Sequence, residues 1–321
     1  MIESNKPYAL VFGISIYDIF GFSYATYRPY DSNPGQVKVS CGGVCRNIAE
    51  NMSRVGIPTK FISILGDDQK GADILRQAEK VGLDMKDSLI VKGGSTPTYL
   101  AILDENGEMV SAVVDTKLAN EFSEEELDKR AEIIENAEYM FLGADNPPFV
   151  EYILKNYAGK TKFVLDPVSG AKAARVKHLL HYFHTVKPNR HEAEILCGFE
   201  VKTHEDARRA GAYLRELGVQ NVFISLDADG VYYNNGEEEG IIKASCLEIL
   251  NVTGAGDAFV AGIGAAYMTG KSIKETVKYA IAMSNITISD EATIHPEMSA
   301  AYVQDYLATC TWDEAIFKSK K

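Results

Sequence analysis

The sequence lacks any apolar run close to the ~18 residues that a membrane-spanning helix requires. The first stretch, MIESNKPYALVFG, has no basic region followed by an apolar segment and a cleavage site, which argues against secretion. Five cysteines, at positions 41, 45, 197, 246 and 310, include no C-x-x-C pair, so we expect reduced thiols and no disulfide framework. These absences predict a cytoplasmic protein without membrane contact.

Positive charge is also scarce, because 33 Lys and Arg face 45 Asp and Glu, for a net charge of −12. This balance argues against a broad surface for a nucleic-acid polymer, although a small anion held by local groups remains compatible with it. Potential metal ligands are poorly arranged: Cys41 and Cys45 have no companion ligands, and His178, His181 and His184 drift around a helix.

Two nucleotide-binding motifs are missing as well. The sequence has no P-loop, and no glycine fingerprint follows the first apolar run. The later G-A-G-D-A-F segment has Phe259 where a dinucleotide fingerprint needs a third small residue. An NAD-dependent enzyme is therefore disfavoured.

The chain has 321 residues, of which 46% are hydrophobic and 24% charged, an ordinary globular composition. Apolar runs alternate with helical patterns, which predicts an α/β fold with a mainly parallel sheet and helices on both faces. The predicted strands are 8–16, 60–65, 139–143, 162–168, 184–188 and 221–226. The predicted helices are 43–55, 70–81, 123–136, 148–157, 190–197, 203–217, 255–268, 272–288 and 297–307.

Two segments interrupt the alternation. Residues 98–114 alternate around Asn106-Gly107, which is a strong hairpin signal, and residues 20–41 are aromatic and contain Pro and Gly. We expect 20–41 and 96–116 to form a small sheet, inserted in a single domain 1–321, that covers the carboxyl ends of the main strands as a lid. A second hairpin is expected at 230–245.

The segment NVTGAGDAFVAG, residues 251–262, places small residues and an acid where a helix begins. Free N–H groups at a helix amino terminus form an anion site, whereas a carboxylate there would repel a phosphate. Asp257 could instead take a proton from an attacking hydroxyl, which indicates phosphoryl transfer with Asp257 as general base. The alternative is an acid that only caps the helix.

Two other segments contain candidate ligand-binding residues. In CGGVCRNIAEN, paired glycines open a helix and Asn47 lies one turn in, where its amide can bind a hydroxyl, or simply be solvated. In KPNRHEAE, Asn189 and Glu192 are placed to hold the water shell of Mg²⁺, or only to favour the helix dipole. Asp18 and Asp166 each follow an apolar run, at the edge where ligands bind.

Together these segments resemble the ribokinase-like (PfkB) carbohydrate kinase family. The resemblance covers nearly the whole chain and rests on GGVCRNIAENMSRVG and NVTGAGDAFVAG, with KPNRHEAE and SLDADGVYY between them. It implies a Rossmann-type sandwich with a small β-sheet lid, and ATP- and Mg²⁺-dependent phosphorylation of a sugar or nucleoside hydroxyl.

The resemblance also assigns roles to individual residues. Asp257 would be the base and Gly254, Ala255 and Gly256 the anion hole. Asp18, Gly42, Gly43 and Asn47 would contact the sugar. On the nucleotide side the assigned residues are Asn189 for phosphate, Glu192 for a Mg²⁺-bound water, and Ser225 and Gly230 for the nucleotide.

Within the family, DSNPGQVKVSCGGVCRNIAENMSRVG and DPVSGAK are similar to bacterial pseudouridine kinases. That similarity implies transfer to the 5′-hydroxyl of pseudouridine, with Asn33 contacting the uracil. Ribose, another ribonucleoside, or a non-catalytic sensor are the alternatives. Two positions depart from the family pattern: Asp227 replaces a glycine near the nucleotide, and Asn251 replaces an acid that helps ribokinases bind K⁺. Lid sheets with an exposed face often pair, and the aromatic residues Phe20, Phe22, Tyr24 and Tyr27 suggest a homodimer through the lid.

Overall fold

The computed structural model describes residues 7–245 and 249–317. Cys246 and the basic tail 318–321 therefore lie outside the described residues. The strands, in chain order, are β1 (Ala9–Phe12), β2 (Ile16–Ser23), β3 (Gly35–Gly42), β4 (Thr59–Ile62), β5 (Ile64–Gly66), β6 (Leu89–Val91), β7 (Thr98–Leu103), β8 (Met109–Asp115), β9 (Tyr139–Gly143), β10 (Lys162–Asp166), β11 (Thr185–Val186), β12 (Asn221–Ser225), β13 (Val231–Asn234), β14 (Glu239–Ala244) and β15 (Trp312–Phe317).

The helices alternate with these strands over most of the chain. They are α1 (Val44–Arg54), α2 (Gln69–Lys80), α3 (Glu124–Asp128), α4 (Ala131–Glu135), α5 (Pro147–Tyr157), α6 (Gly170–Val176), α7 (Arg190–Cys197), α8 (His204–Glu216), α9 (Ala255–Met268), α10 (Ile273–Ile288) and α11 (Ala300–Thr309). No helix in the described ranges is both long and apolar enough to cross a membrane.

In the described residues, the main sheet has nine strands in the order β15-β14-β13-β12-β11-β10-β9-β1-β4. From β4 to β12 every neighbouring pair is parallel, and β12 to β15 continue as antiparallel strands. Side chains of β1 alternate between two hydrophobic cores, with Leu10 in one and Val11 in the other. Helices therefore cover both faces, and the predicted α/β class is confirmed.

The smaller sheet has the strand order β3-β2-β7-β8. Its two faces differ. One row of paired residues, Val39, Ile19, Leu100 and Val113, crosses all four strands on one face. The pairing places Asp18 one residue along β2 from Ile19, so it lies on the opposite face. β8 follows β7 after the Asn106-Gly107 turn, where the hairpin was predicted.

Some boundaries differ from the sequence-based expectations. The apolar run 8–16 is not one strand, because β1 ends at Phe12 and the chain turns at Gly13 before β2 joins the small sheet. A Cβ at Gly13 would lie 2.4 Å from Sγ of Cys45, so this turn packs tightly against α1. The predicted helix 123–136 is two short helices, α3 and α4, and the short β6, α6 and β15 were not predicted.

Candidate active site

Side chains from several parallel strands meet at the carboxyl edge of the main sheet, next to the start of α9. Asp166 is the last residue of β10, and Lys187 directly follows β11. Asn189 follows two residues after Lys187 and forms a bridge with Ser225 at the end of β12. Asp257 faces this edge from the first turn of α9. The fold thus brings together chain segments that are far apart in sequence.

The start of α9 is shaped by Gly254, whose φ of 83° is left-handed and favours glycine. A Cβ there would lie 2.1 Å from the carbonyl oxygen of Thr293, so the position also has no room for a side chain. The N–H of Ala255 has only a 3.4 Å bond to the Val252 carbonyl. In the described residues we find no acceptor for the N–H groups of Gly254, Gly256 and Asp257, which leaves them available to an anion.

Asp257 does not cap α9, because the helix has no side-chain cap hydrogen bond. Its Oδ2 instead accepts a hydrogen bond of 2.8 Å from Nδ2 of Asn47 on α1. The Oδ1 atom of Asn47 is buried and has no hydrogen-bond partner within the described residues. A buried acceptor without a donor beside a carboxylate is the arrangement that a ligand hydroxyl would satisfy.

The pKa of Asp257 is raised to about 7, first because the carboxyl group is desolvated and then because Asp166 adds negative charge nearby. The hydrogen bond from Asn47 and the charge of Lys187 act in the opposite direction and lower the pKa. A carboxyl group that titrates near neutral pH can both accept and return a proton at physiological pH, as a general base requires.

Gly42 and Gly43, at the start of α1, each leave room for a different neighbouring group. A Cβ at Gly42 would lie 2.1 Å from Oδ2 of Asp18, so the absent side chain makes room for that carboxylate. Gly43 has a φ of 101°, and a Cβ there would lie 2.5 Å from the carbonyl oxygen of Ile14. Desolvation raises the pKa of Asp18 to about 6, and Arg46 opposes that rise. Asp18 therefore lies beside the start of α1, next to Gly42 and close enough to Arg46 to feel its charge.

The Asn189 and Glu192 pair forms a capping box on α7. Oδ1 of Asn189 accepts from the Glu192 N–H at 2.8 Å, and Oε2 of Glu192 accepts from the Asn189 N–H at 2.8 Å. Nδ2 of Asn189 and Oε1 of Glu192 have no protein partner in the described ranges and stay available to a ligand. Glu192 is buried, which raises its pKa and makes a cationic or water ligand favourable there.

The turn after β12 has an unusual backbone. Asp227, which stands where a glycine was expected, adopts a left-handed φ of 53°, and Gly230 has a φ of 96°. Arg190 holds this turn: its Nη2 donates to the Leu226 carbonyl at 3.1 Å and to Oδ2 of Asp229 at 2.8 Å. The charged Asp227 is thus accommodated in the glycine-type conformation beside Ser225.

The structure does not bring every predicted residue into this group. The amide of Asn33 bonds within its own loop, accepting from the Arg28 N–H at 2.8 Å and donating to the Arg28 carbonyl at 2.9 Å. Asn251 donates from Nδ2 to the Glu291 carbonyl at 2.8 Å. In residues 7–245 and 249–317 no three His, Cys, Asp or Glu side chains converge to hold a metal ion directly.

Sequence reasoning missed three features of the site. Lys187 is 95% buried at the strand end, since only 5% of its surface is exposed. Asp145 forms an ion pair with Lys172 nearby. Val168 adopts a left-handed φ of 67°, which is costly for a β-branched residue and often marks functional sites. For Lys187, the sequence offered one signal of a place in the site: the lysine lies between an apolar run and the Pro188-Asn189 pair.

Comparison with known proteins agrees with this geometry. Residues 6–300 match the pfkB family carbohydrate kinases. The pseudouridine kinase of Escherichia coli (strain K12) is 35% identical over 93% of this chain and 96% of its own length. A Clostridium perfringens crystal structure, assigned as a sugar kinase, has a TM-score of 0.94 and 56% identity, covering 98% of this chain and 99% of that one.

A more distant structure shares the fold. Ribokinase of Arabidopsis thaliana, solved with ribose and ATP, has a TM-score of 0.81 at 22% identity, over 94% of this chain and 99% of that chain. The ribokinase-like fold is therefore confirmed. With a family match over most of its length and Asp257 beside open amides at the start of α9, the chain belongs to the pfkB family of carbohydrate kinases, which use ATP to phosphorylate sugars or nucleosides.

Proposed function

We propose that the protein transfers a phosphoryl group from ATP to the 5′-hydroxyl of pseudouridine, giving pseudouridine 5′-phosphate. The observation that carries this proposal is the contact of Asn47 with Asp257, which aims a buried amide and a general base at one point. The similarity to pseudouridine kinase, over 93% of the chain, supports the choice of nucleoside.

Asp257 takes the proton of the acceptor hydroxyl in the proposed reaction. The hydroxyl oxygen then forms a bond to phosphorus while the bond from that phosphorus to the ADP oxygen breaks. Bound ATP with Mg²⁺ supplies the transferable group. The open N–H groups of Gly254, Gly256 and Asp257 hold the negative charge of that group.

The sugar is held by groups that lie beside α1. The carboxylate of Asp18, in the space left by Gly42, accepts hydrogen bonds from ribose hydroxyls, and so does Oδ1 of Asn47. Gly43 keeps the backbone close enough for these contacts. On the donor side, Nδ2 of Asn189 binds phosphate and Oε1 of Glu192 holds a water of Mg²⁺. Ser225 and Gly230 border the nucleotide.

The small sheet acts as a lid in this proposal. Phe20 and Tyr99 share the face of Asp18 and contact each other edge to face, with ring centroids 6.0 Å apart. An aromatic surface next to the sugar site suits the base of a nucleoside. Closure over the acceptor would exclude water and limit wasteful ATP hydrolysis. The two hydrogen bonds between the Asn33 side chain and the Arg28 backbone hold this loop in a conformation that can contact the uracil.

Ribose or another ribonucleoside is the second candidate acceptor, because Asp18 and Asn47 recognise only sugar hydroxyls. A coupled ADP-release assay with pseudouridine, uridine, ribose, inosine and adenosine separates the candidates. We expect pseudouridine to give the highest kcat/KM, since its C-glycosidic link leaves two N–H donors on the uracil. Equal turnover of uridine and pseudouridine would reject the nucleoside assignment, and no ADP release with any acceptor would reject kinase activity.

A further inference from the structure

Lys187 is a buried cation without a partner. Only 5% of its surface is exposed, yet its ammonium group has no hydrogen bond or ion pair in the described part of the chain. Nζ lies over the ring of Phe259, 5.9 Å from its centroid. The other lysine at this edge, Lys172, forms an ion pair with Asp145.

A largely buried lysine whose ammonium forms no ion pair carries a desolvation cost that a bound anion would offset. Asp166, Glu192 and Asp257 carry charges that interact electrostatically with Lys187, but none forms an ion pair with it. Oε2 of Glu192 is already used by the Asn189 N–H. Within residues 7–245 and 249–317 no acceptor is hydrogen-bonded to the ammonium of Lys187, so its three donors are free for a ligand.

The free donors lie against the first turn of α9. A Cβ at Gly256 would be 3.3 Å from Nζ of Lys187, so the missing side chain lets the ammonium approach the backbone there. The unpaired N–H groups of Gly254, Gly256 and Asp257 belong to the same turn. An ammonium and a set of open amides thus meet beside the carboxylate of Asp257.

We propose that Lys187 binds the transferring phosphoryl group, with Nζ donating to one of its non-bridging oxygens. The inference rests on the proposed kinase function and adds a catalytic residue to it. The positive charge of the lysine offsets the negative charge of the acids around Asp257, which would otherwise repel an anion. In the transition state it stabilises charge that the amides of α9 share.

The direct test is binding of inorganic phosphate by thermal unfolding, with chloride at matched ionic strength. Phosphate should raise the Tm of the wild-type protein, because a ligand of the folded state stabilises it. The rise should be lost in Lys187→Met and Lys187→Gln, and kept in Lys162→Met, a surface lysine paired with Glu138 at the opposite edge. An equal rise in both Lys187 variants would overturn the proposal.

Folding is a built-in check. Both neutral variants should still fold cooperatively with only a modest change in Tm, because they remove a desolvated charge together with its attraction to Asp166, Glu192 and Asp257. Failure of both to fold would mean that Lys187 serves the fold and would overturn the proposal as well.

Kinetics then separate direct phosphoryl binding from an indirect effect on Asp257. Lys187→Met should lower kcat by about 10²–10³-fold at all pH values, as loss of one transition-state donor does. Lys187→Arg, which keeps the charge, should lose less. Recovery of the wild-type rate at high pH would mean that Lys187 only adjusts the pKa of Asp257, and would overturn the phosphoryl contact. If the wild type phosphorylates no acceptor, the proposed function fails, while the phosphate titration still decides the role of Lys187.

Discussion

Nδ2 of Asn47 donates a 2.8 Å hydrogen bond to Oδ2 of Asp257, across 210 residues of sequence. This bond joins the first turn of α1 to the first turn of α9, and it leaves Oδ1 of Asn47 buried and free for a ligand. It also fixes one oxygen of Asp257, so that the other is the atom available to an acceptor hydroxyl. The double-glycine segment and the G-A-G-D segment therefore form one site.

Asp257→Asn should reduce kcat by about 10²–10⁴-fold, because the amide cannot take the hydroxyl proton. The KM for the nucleoside should change little, since the substitution keeps the size of the side chain. Steady-state kinetics and calorimetric binding of the nucleoside measure the two effects. Asp305→Asn, an exposed acid on α11, is the matched control and should behave as wild type. Unchanged turnover in Asp257→Asn would remove it from its role.

The pH profile should report the ionisation of Asp257. The pKa of this carboxyl is raised to about 7, so the reactive anion forms as the pH rises through neutrality and kcat/KM should rise with it. The bond from Asn47 lowers that pKa. Asn47→Ala should therefore move the acid limb of the profile to higher pH, beside any loss of substrate affinity. An acid limb at the same pH in the variant would contradict this coupling.

The raised pKa of Asp257 should also make the stability of the protein depend on pH. Asp257 has its folded pKa at about 7 against an ordinary value of 3.8, so its contribution to stability is present below 3.8 and is lost as the pH rises through 7. Asp257→Asn should remove this loss and raise the Tm at pH 8 by a few degrees. That rise corresponds to an increase in the free energy of unfolding on the order of 1 kcal/mol. At pH 4 the two proteins should unfold at similar temperatures. Equal Tm values at pH 8 would show that the carboxylate is not penalised by burial.

Much of the fold was predictable because the parallel strands are continuous apolar runs. The helices α7 and α9 begin and end where the patterns indicated, since capping residues mark the first and small residues the second. The split of 8–16 was not predictable: the run is apolar throughout, and only the contact of Gly13 with Cys45 shows where β1 must end. The edge strand β15 was also missed, because its side chains are half-buried or exposed and form no continuous apolar run.

For the site, the sequence suggested candidate residues but not the contacts between them. Whether Asp257 caps a helix or faces a ligand depends on a contact with Asn47, and such long-range contacts have no local signal. For Asn189 and Glu192, the capping interpretation and the ligand interpretation are compatible. Each side chain has one atom in the capping box and another atom without a protein partner in the described residues. Lys187 opens the KPNRHEAE segment but was given no role there, and only the structure shows that it is buried without a hydrogen bond or ion pair in the described residues.

The exposed face of the small sheet predicts a dimer. Val39 and Val113 are 57% and 67% exposed in one row across the strands, on the face away from Asp18. Contiguous apolar surface of this kind usually marks an interface. Val39→Lys should convert a dimer into a monomer in light scattering coupled to gel filtration. Ile316→Lys, an exposed apolar residue on β15, should leave the assembly unchanged, and a monomeric wild type would reject the prediction.

Activity should not require K⁺. Asn251 donates from Nδ2 to the Glu291 carbonyl at 2.8 Å, and its Oδ1 accepts from the Thr253 N–H at 2.9 Å, so its amide holds the two segments together without a cation. Asn251→Asp would put a carboxylate against that carbonyl oxygen, and a cation would be needed to offset the repulsion. We expect equal wild-type rates in K⁺ and tetramethylammonium buffers, and at least a several-fold K⁺ activation in the variant. Asn156→Asp, which removes an equivalent amide bond to the Tyr152 carbonyl on the surface of α5, should show none, and loss of wild-type activity without K⁺ would contradict the role given to the amide.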